Sequence, residues 1–404
     1  MRRVERYRRR TGLPPSLVDT RPVRRSFVAL MAGAAILAPS IGLGEAVYGD
    51  PIQRRVALEE LGRGLARSYC RPRPVCAYDP VAVVDGGEGI SGRTAARQGL
   101  SLWSGVSYYY ADGDTRRLEN ALGILRSWAS ADALRGVAGN RTRARHYLKR
   151  ALFPAITAYG VMRAVLDIPS ADRQAIERWL ERGVALMDRD NVDGASHSDT
   201  NNSRYSRDAV NMAWGVVIGD EARFRAGVER YRQALRQMRA DGSFPQETAR
   251  GPRALTYQNL AVSILISMAE MASRRGLNLY AESFEGRTIH QAVGFLLAAE
   301  RDDAALKVYA DAPQKKLRLG NHLHWTEIYL ARFPGHENAD GLGSLRRRYY
   351  FRTGGANDFV GGNLSCVFAG PETHEVLVDG PPKEILAILR KDAPPPIPCP
   401  RYLD

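Results

Sequence analysis

Helical periodicity runs through most of this 404-residue chain and restricts its possible folds more than any other feature. From position 54 onward, apolar residues recur three and four apart, and the segments between them are mostly short and marked by Asp-Gly, Gly or Pro. Such a run, with no block of strands, leaves only architectures in which helices pack on helices: a bundle, a solenoid or an α/α toroid. Periodicity does not choose among the three. The predicted helices are 54–68, 94–111, 115–130, 144–166, 171–188, 206–218, 221–239, 253–275, 288–299 and 321–333.

Residues 1–46 are predicted to be an export signal and not part of the fold. Nine arginines against two acidic residues give positions 1–25 a net charge of about +7, and R-R-S-F at 24–27 leads into an uncharged apolar stretch, 27–43. Ala46 offers a small residue for cleavage. The paired arginines favour the twin-arginine route. An ordinary secretory signal or an uncleaved anchor are the alternatives, because about 17 apolar residues is the lower limit for crossing a bilayer. We expect a periplasmic or secreted protein without stable membrane association once the signal is removed.

Charge points to the kind of partner. The whole chain carries +14, so about +7 remains after positions 1–25 are removed. A basic exported domain suits a polyanion, either an acidic polysaccharide or a membrane surface. Nucleic acid is not predicted as a partner, since none of the usual basic-aromatic modules is present.

The four cysteines lack the spacing of zinc ligands, and an oxidising compartment favours disulfides. Three pairings are possible; we expect Cys70–Cys76 to close a Pro-rich loop and Cys366–Cys399 to hold the C-terminal tail.

The segment 356–404 is predicted to be a short irregular extension, with strands at 359–362, 365–368 and 375–378, a helix at 383–390 and a Pro-rich tail.

The segment 241–275 combines a buried helix with charge at its start. Arg253 and Tyr257 are four apart and therefore share one helix face, and Arg250 and Glu247 precede them. One interpretation is a solvated first turn with a core tyrosine. The functional interpretation is a tyrosine whose proton is made mobile by neighbouring cations.

These residues resemble the core motif of the alginate lyase family, in which an arginine lies seven residues before the catalytic tyrosine of R-A-L-x-Y-x-N. Here Arg250 precedes RALTYQN at 253–259. The family's upstream signature N-N-H-x-Y-W corresponds to NNSRYS at 201–206, and the family's interval of 54 residues separates Ser203 from Tyr257. Further matches are W-x-E-x-Y at 325–329 and FRTGG at 351–355, so the resemblance spans roughly 92–355.

The resemblance implies that 47–355 forms an α/α toroid, an incomplete barrel of antiparallel helix pairs with a deep cleft. It also implies β-elimination on alginate or a related polyuronate, without metal or cofactor. Tyr257 would be the acid/base, Arg250 and Asn202 would neutralise the carboxylate, and Arg352 would fix a neighbouring sugar. The remaining residues implied to line the substrate are Asn201, Arg204, Glu247, Arg253 and Trp325.

The family's histidine is Ser203 in this chain, and Ser206 replaces its tryptophan. Serine donates one neutral hydrogen bond and carries no charge. Three interpretations follow. Arg204, His197 or His146 supplies the cation; the substrate is another polyuronate, such as glucuronan; or elimination is lost and only binding remains.

Two other functions are therefore kept as alternatives. The first is a non-catalytic polyuronate-binding protein of exopolysaccharide production. The second is a glycoside hydrolase on the same fold, with its carboxylates among Asp190, Asp193 and Asp199, since an inverting hydrolase needs two carboxyl groups about 6.5–9.5 Å apart.

Overall fold

The computed structural model describes residues 44–87, 89–188, 200–315, 317, 320–371, 382–384 and 397–403. Helices dominate these ranges, and the four strands among them are three residues long. The helices are α1 (Pro51–Glu60), α2 (Arg63–Cys70), α3 (Ser91–Asp112), α4 (Thr115–Ser130), α5 (Arg141–Val165), α6 (Ser170–Asp188), α7 (Asn202–Ile218), α8 (Glu221–Gln237), α9 (Pro245–Thr248), α10 (Ala254–Ser273), α11 (Ile289–Arg301), α12 (Ala304–Lys307), α13 (Thr326–Arg332), α14 (Asn338–Arg348) and α15 (Leu364–Phe368). The strands are β1 (Val75–Ala77), β2 (Val83–Asp85), β3 (Gly136–Ala138) and β4 (Arg401–Leu403).

The long helices form two layers. The helices α3, α5, α7 and α10 pack in series, and α4, α6, α8 and α11 each pack on the helix that precedes them along this series. This arrangement is an α/α toroid, which confirms the predicted fold. The helix α10 is buried along nearly its whole length because it contacts α7, α8 and α11 together.

The secondary structure predicted for one helix and for two strands needed correction. The predicted helix 54–68 is two helices, since Gly62 at φ +89° interrupts it and glycine adopts that backbone region at little cost. The predicted strands at 359–362 and 365–368 are absent. The second of these segments lies in the buried helix α15, whose first turn is capped when Asn363 Oδ1 accepts a hydrogen bond from the Cys366 amide. The predicted strand 375–378 and most of the predicted helix 383–390 lie outside the described residues.

The expected disulfide pairing was wrong. All four cysteines are in disulfides, but these join Cys70 to Cys366 and Cys76 to Cys399. Tertiary structure decides the pairs. The end of α2 lies against α15, where Asn363 Nδ2 donates to the Cys70 carbonyl, and β1 pairs antiparallel with β4 close to Cys399. Both bridges therefore tie the N-terminal part of the domain to the C-terminal segment, and neither closes a local loop.

The N-terminal edge of the fold lies before residue 47. Ala46, Val47 and Tyr48 are buried, and the Arg275 guanidinium donates to the carbonyls of Ala46 (2.6 Å) and Val47 (2.7 Å). Cleavage after Ala46 would leave a buried α-ammonium close to this guanidinium, which argues against the predicted cleavage position. Among the described helices, none is long and apolar enough to cross a bilayer.

Candidate active site

The first turn of α7 carries the upstream motif. Its N-cap is Asn201, whose Oδ1 accepts a hydrogen bond from the Ser203 amide at 2.9 Å, as an N-cap amide side chain should. The helix begins at Asn202, four residues before the predicted start at 206. Asn201 is therefore an almost fully buried capping residue, while Asn202 and Ser203 begin a helix that packs against both α5 and α10.

Glu247 holds Asn202 in place. One Glu247 carboxylate oxygen accepts from the Asn202 amide, and the other accepts from Asn202 Nδ2 at 2.7 Å. Burial raises the pKa of Glu247 to about 7, against the lowering effect of these two hydrogen bonds and of Arg250. Because Glu247 is fully buried, the expected substrate contact is not available to it, and its role is to position Asn202.

Tyr257 lies in the first turn of α10, beside two arginines. The Arg250 guanidinium carbon is 4.9 Å from the Tyr257 ring centroid, and that of Arg253 is 5.6 Å away. Arg250 is oriented by a 3.0 Å hydrogen bond from its Nε to the Gln246 carbonyl. Tyr257 is half-buried, and its hydroxyl has no hydrogen-bond partner within the described ranges. The solvated-turn interpretation is thus incomplete, since this phenol faces two cations and is open to a ligand.

A buried amide network fixes the start of α10. Asn259 Oδ1 accepts from Trp325 Nε1 at 3.0 Å, and Asn259 Nδ2 donates to the His322 carbonyl at 3.0 Å. Trp325 is fully buried, so it is not exposed to a substrate as expected. Its indole instead holds Asn259 of α10 in place.

Arg352 belongs to the segment that packs on this network. The His324 ring lies 5.3 Å from that of Phe351. A Cβ on Gly355 would be only 2.6 Å from His324 Nε2, so glycine is required for this close approach. Arg352 itself is exposed, with no ion pair to the described residues, and is therefore available to a polyanion.

None of the cations considered for the Ser203 position is available in the described part of the chain. Arg204 Nε pairs with Asp208 Oδ2 at 2.9 Å. Burial, with Arg150 and Lys149 nearby, lowers the pKa of His146 to about 3, so its ring is neutral. His197 lies outside the described residues, as do Asp190, Asp193 and Asp199 of the hydrolase alternative.

Sequence reasoning missed Lys149, which reaches Ser203 from α5. Its Nζ donates to Ser203 Oγ at 2.7 Å and to the Ser203 carbonyl at 3.0 Å. A signal was present in the sequence: Lys149 is the only lysine in the first 306 residues of an arginine-rich chain.

The site therefore combines a free phenol, at least two arginines, a positioned amide and an ammonium–hydroxyl pair. No group of three metal-ligating side chains occurs within the described ranges. This set can neutralise an anion and move a proton beside it.

Comparisons with known proteins agree with this description. The alginate lyase family model matches residues 109–306, which include Lys149, Ser203 and Tyr257. A polysaccharide lyase of Stenotrophomonas maltophilia is 27% identical over 228 residues, 56% of this chain and 66% of the relative, just under two thirds of its length. An alginate lyase of Pseudomonas putida is 30% identical over 250 residues, 59% of this chain and 67% of that enzyme.

A solved structure extends the similarity to nearly the whole fold. Alginate lyase A1-III from a Sphingomonas species superposes with a TM-score of 0.68 at 26% identity, covering 84% of this chain and 100% of that enzyme. Variants of A1-III have been solved in complex with a tetrasaccharide.

Proposed function

Because this chain belongs to the alginate lyase family, we propose that it is a polysaccharide lyase that cleaves a uronate-containing polymer, alginate or a related polyuronate, by β-elimination. The observation that carries the proposal is Tyr257, a phenol without a hydrogen-bond partner in the described structure that lies beside the guanidinium groups of Arg250 and Arg253.

The reaction begins with a weakly acidic proton on C5, next to the uronate carboxylate. Tyr257, as its phenolate, takes this proton; the C4–O bond then breaks and C4 and C5 become doubly bonded. The phenol of Tyr257 then returns the proton to the glycosidic oxygen, which restores the phenolate. General acid–base catalysis of this kind contributes a factor of about 10²–10⁴.

The carboxylate must be neutralised as the enolate develops. Arg250 supplies a charged donor beside Tyr257, and Asn202, fixed by Glu247, supplies a neutral one. Donors held in place before the reaction stabilise developing charge without reorganising. Exposed Arg352 would hold a neighbouring uronate of the polymer.

The test is Tyr257→Phe, which removes the hydroxyl and keeps the ring. We expect the variant to fold and to lose at least about 100-fold in turnover, measured as ultraviolet absorbance of the unsaturated product. Tyr402→Phe, at a tyrosine that is 60% exposed, is the matched control. Near-normal turnover of Tyr257→Phe would exclude this tyrosine as the proton carrier.

The serine at position 203 favours a second candidate, a polyuronate-binding protein without activity. Absorbance and reducing-end assays of the wild-type protein distinguish these functions, with alginate, polymannuronate, polyguluronate, glucuronan and hyaluronan as substrates. A lyase raises the absorbance on at least one polymer, a hydrolase makes new reducing ends without absorbance, and a binding protein does neither.

Export to the periplasm is also part of the proposal, and it rests on the arginine-rich segment and apolar stretch of positions 1–43. We place cleavage before residue 44, since Gly44 donates to the Val216 carbonyl and Ala46 is buried. The N-terminal mass of periplasmic protein tests this. A mature chain that begins at Val47 would contradict it.

A further inference from the structure

The ammonium of Lys149 and the hydroxyl of Ser203 form a pair of donors at the position of the family's histidine. We propose that this pair binds and neutralises the uronate carboxylate, so that Lys149 is a catalytic residue of this chain. The inference rests on the proposed lyase function and identifies how that function survives without the histidine.

Hydrogen-bond geometry leaves both groups with a donor to offer. An ammonium has three hydrogens, and Lys149 uses two of them on Ser203, at 2.7 and 3.0 Å; no other acceptor lies among the described residues. Since Ser203 Oγ accepts from Lys149, its own hydrogen is free to point elsewhere. One N–H and one O–H can therefore meet the two oxygens of a carboxylate, and the bond from the ammonium polarises the hydroxyl toward donation.

The Lys149 charge lacks a local counter-ion. The side chain is 6% exposed, and it makes no ion pair within the part of the chain that the structure describes. The carboxylate that acts on it is Asp208 of α7, which already pairs with Arg204, Arg207 and Arg230. A buried, unpaired cation is costly, and an anionic substrate would supply the missing charge.

Lys149 remains largely charged at neutral pH. Its pKa is lowered from 10.5 to about 8, mainly by burial; Arg145 of α5 contributes to the lowering and Asp208 opposes it. His146 of the same helix is neutral in this environment. The ammonium is thus available to a carboxylate up to mildly alkaline pH.

A continuous set of contacts connects the pair to the proposed acid/base. Lys149 bonds Ser203, the adjacent Asn202 bonds Glu247, the Arg250 amide donates to the Glu247 carbonyl at 3.2 Å, and Arg250 lies over Tyr257. These contacts link the pair, which lies on α5 and α7, to the phenol on α10.

The test compares Lys149→Met with Lys307→Met, which removes a charge from an exposed position on α12. On a polymer that the wild-type protein cleaves, we expect Lys149→Met to lose at least about 100-fold in kcat, the effect of removing one preorganised donor, and Lys307→Met to stay within about twofold. Adding Ser203→His to Lys149→Met restores the family's residue and should recover at least about tenfold.

A substrate variant separates neutralisation from a structural role. Methyl esterification removes the carboxylate charge, so Lys149→Met should lose much less activity on the esterified polymer than on the free acid. Equal losses on both substrates would overturn the proposal, as would kcat of Lys149→Met within about threefold of wild type.

Two further outcomes are distinguished: a Lys149→Met variant that does not fold, and a wild-type protein without lyase activity. If Lys149→Met does not fold, Lys149→Arg is used, because its guanidinium keeps its charge. In the wild-type protein kcat should fall as pH rises through about 8, where Lys149 loses its proton, and in Lys149→Arg this fall should occur at a higher pH. The same pH profile for both proteins would overturn the inference. If the wild-type protein yields no unsaturated product on any polymer, the lyase function itself fails and the inference fails with it.

Discussion

Replacing Lys149 with methionine should lower activity and yet make the folded protein relatively more stable at neutral pH. The ammonium is buried without an ion pair in the described structure, and methionine fills nearly the same volume without charge. If Lys149 served only the stability of the fold, its replacement would instead make the folded protein less stable. Truncating buried hydrogen-bonding groups costs about 1–3 kcal/mol for each partner left unsatisfied. Ser203 is only half-buried, so water can satisfy the groups that Lys149 leaves.

The magnitude follows from the pKa of Lys149. Burial lowers it from 10.5 to about 8, which at about 1.4 kcal/mol for each pKa unit corresponds to about 3 kcal/mol of unfolding free energy. Between these pH values the unfolded chain keeps a proton that the folded protein has lost, so wild-type stability rises with pH across this window. The difference in unfolding free energy that favours Lys149→Met over wild type at pH 7 should therefore shrink by up to about 3 kcal/mol as pH approaches 10.5.

Urea unfolding of both proteins at pH 7, 8, 9 and 10 measures this difference. Other groups titrate in the same range, but they are common to wild type and variant and cancel in the comparison. Lys307→Met is the control, since it makes the same substitution at an exposed position. If the stability difference for Lys149→Met changes by less than about 1 kcal/mol between pH 7 and 10, Lys149 is not a desolvated ammonium and the argument from its burial is refuted.

Three further predictions test the surroundings of the site. Glu247→Gln should lower kcat about tenfold with a smaller effect on KM, because an amide cannot accept both hydrogen bonds from Asn202; an unchanged kcat would show that Asn202 needs no such support. Arg352→Ala should raise KM and leave kcat within about twofold, since an exposed arginine that holds a neighbouring sugar contributes uniform binding; a fall in kcat alone would contradict this role. Replacing Cys70 and Cys366 together by serine should cost about 2–5 kcal/mol of unfolding free energy in urea titrations, and peptide mapping without reduction should recover Cys70 linked to Cys366; a Cys70–Cys76 peptide would contradict the structure.

Much of the site could be predicted from local sequence. The four-residue spacing of Arg253 and Tyr257 places them on one helix face, Arg250 precedes them, and the structure brings both guanidinium groups to the tyrosine ring. An N-cap also depends on local sequence, and Asn201 is of a residue type that is preferred at that position. These features depend on a few consecutive residues, so their geometry is set before the rest of the chain packs.

Burial and long-range partners were beyond local inference. Trp325 and Glu247 lie within motif segments and were expected to contact substrate, yet both are fully buried and support other residues. Lys149 stands 54 residues before Ser203 and was not among the predicted substitute cations, Arg204, His197 and His146. Motif spacing gives no distance between separate helices.

The sequence by itself determined the helices and hence the class of fold, because a period of 3.6 residues and short connections are local properties. It also indicated that Arg250 and Arg253 lie near Tyr257, because the three are close in the sequence. Only the tertiary structure decided which cysteines pair and which cation reaches Ser203. The Cys70–Cys366 disulfide depends on where α2 lies relative to α15, and the contact of Lys149 with Ser203 depends on where α5 lies relative to α7. The packing of the whole apolar core sets both positions, and no single segment does.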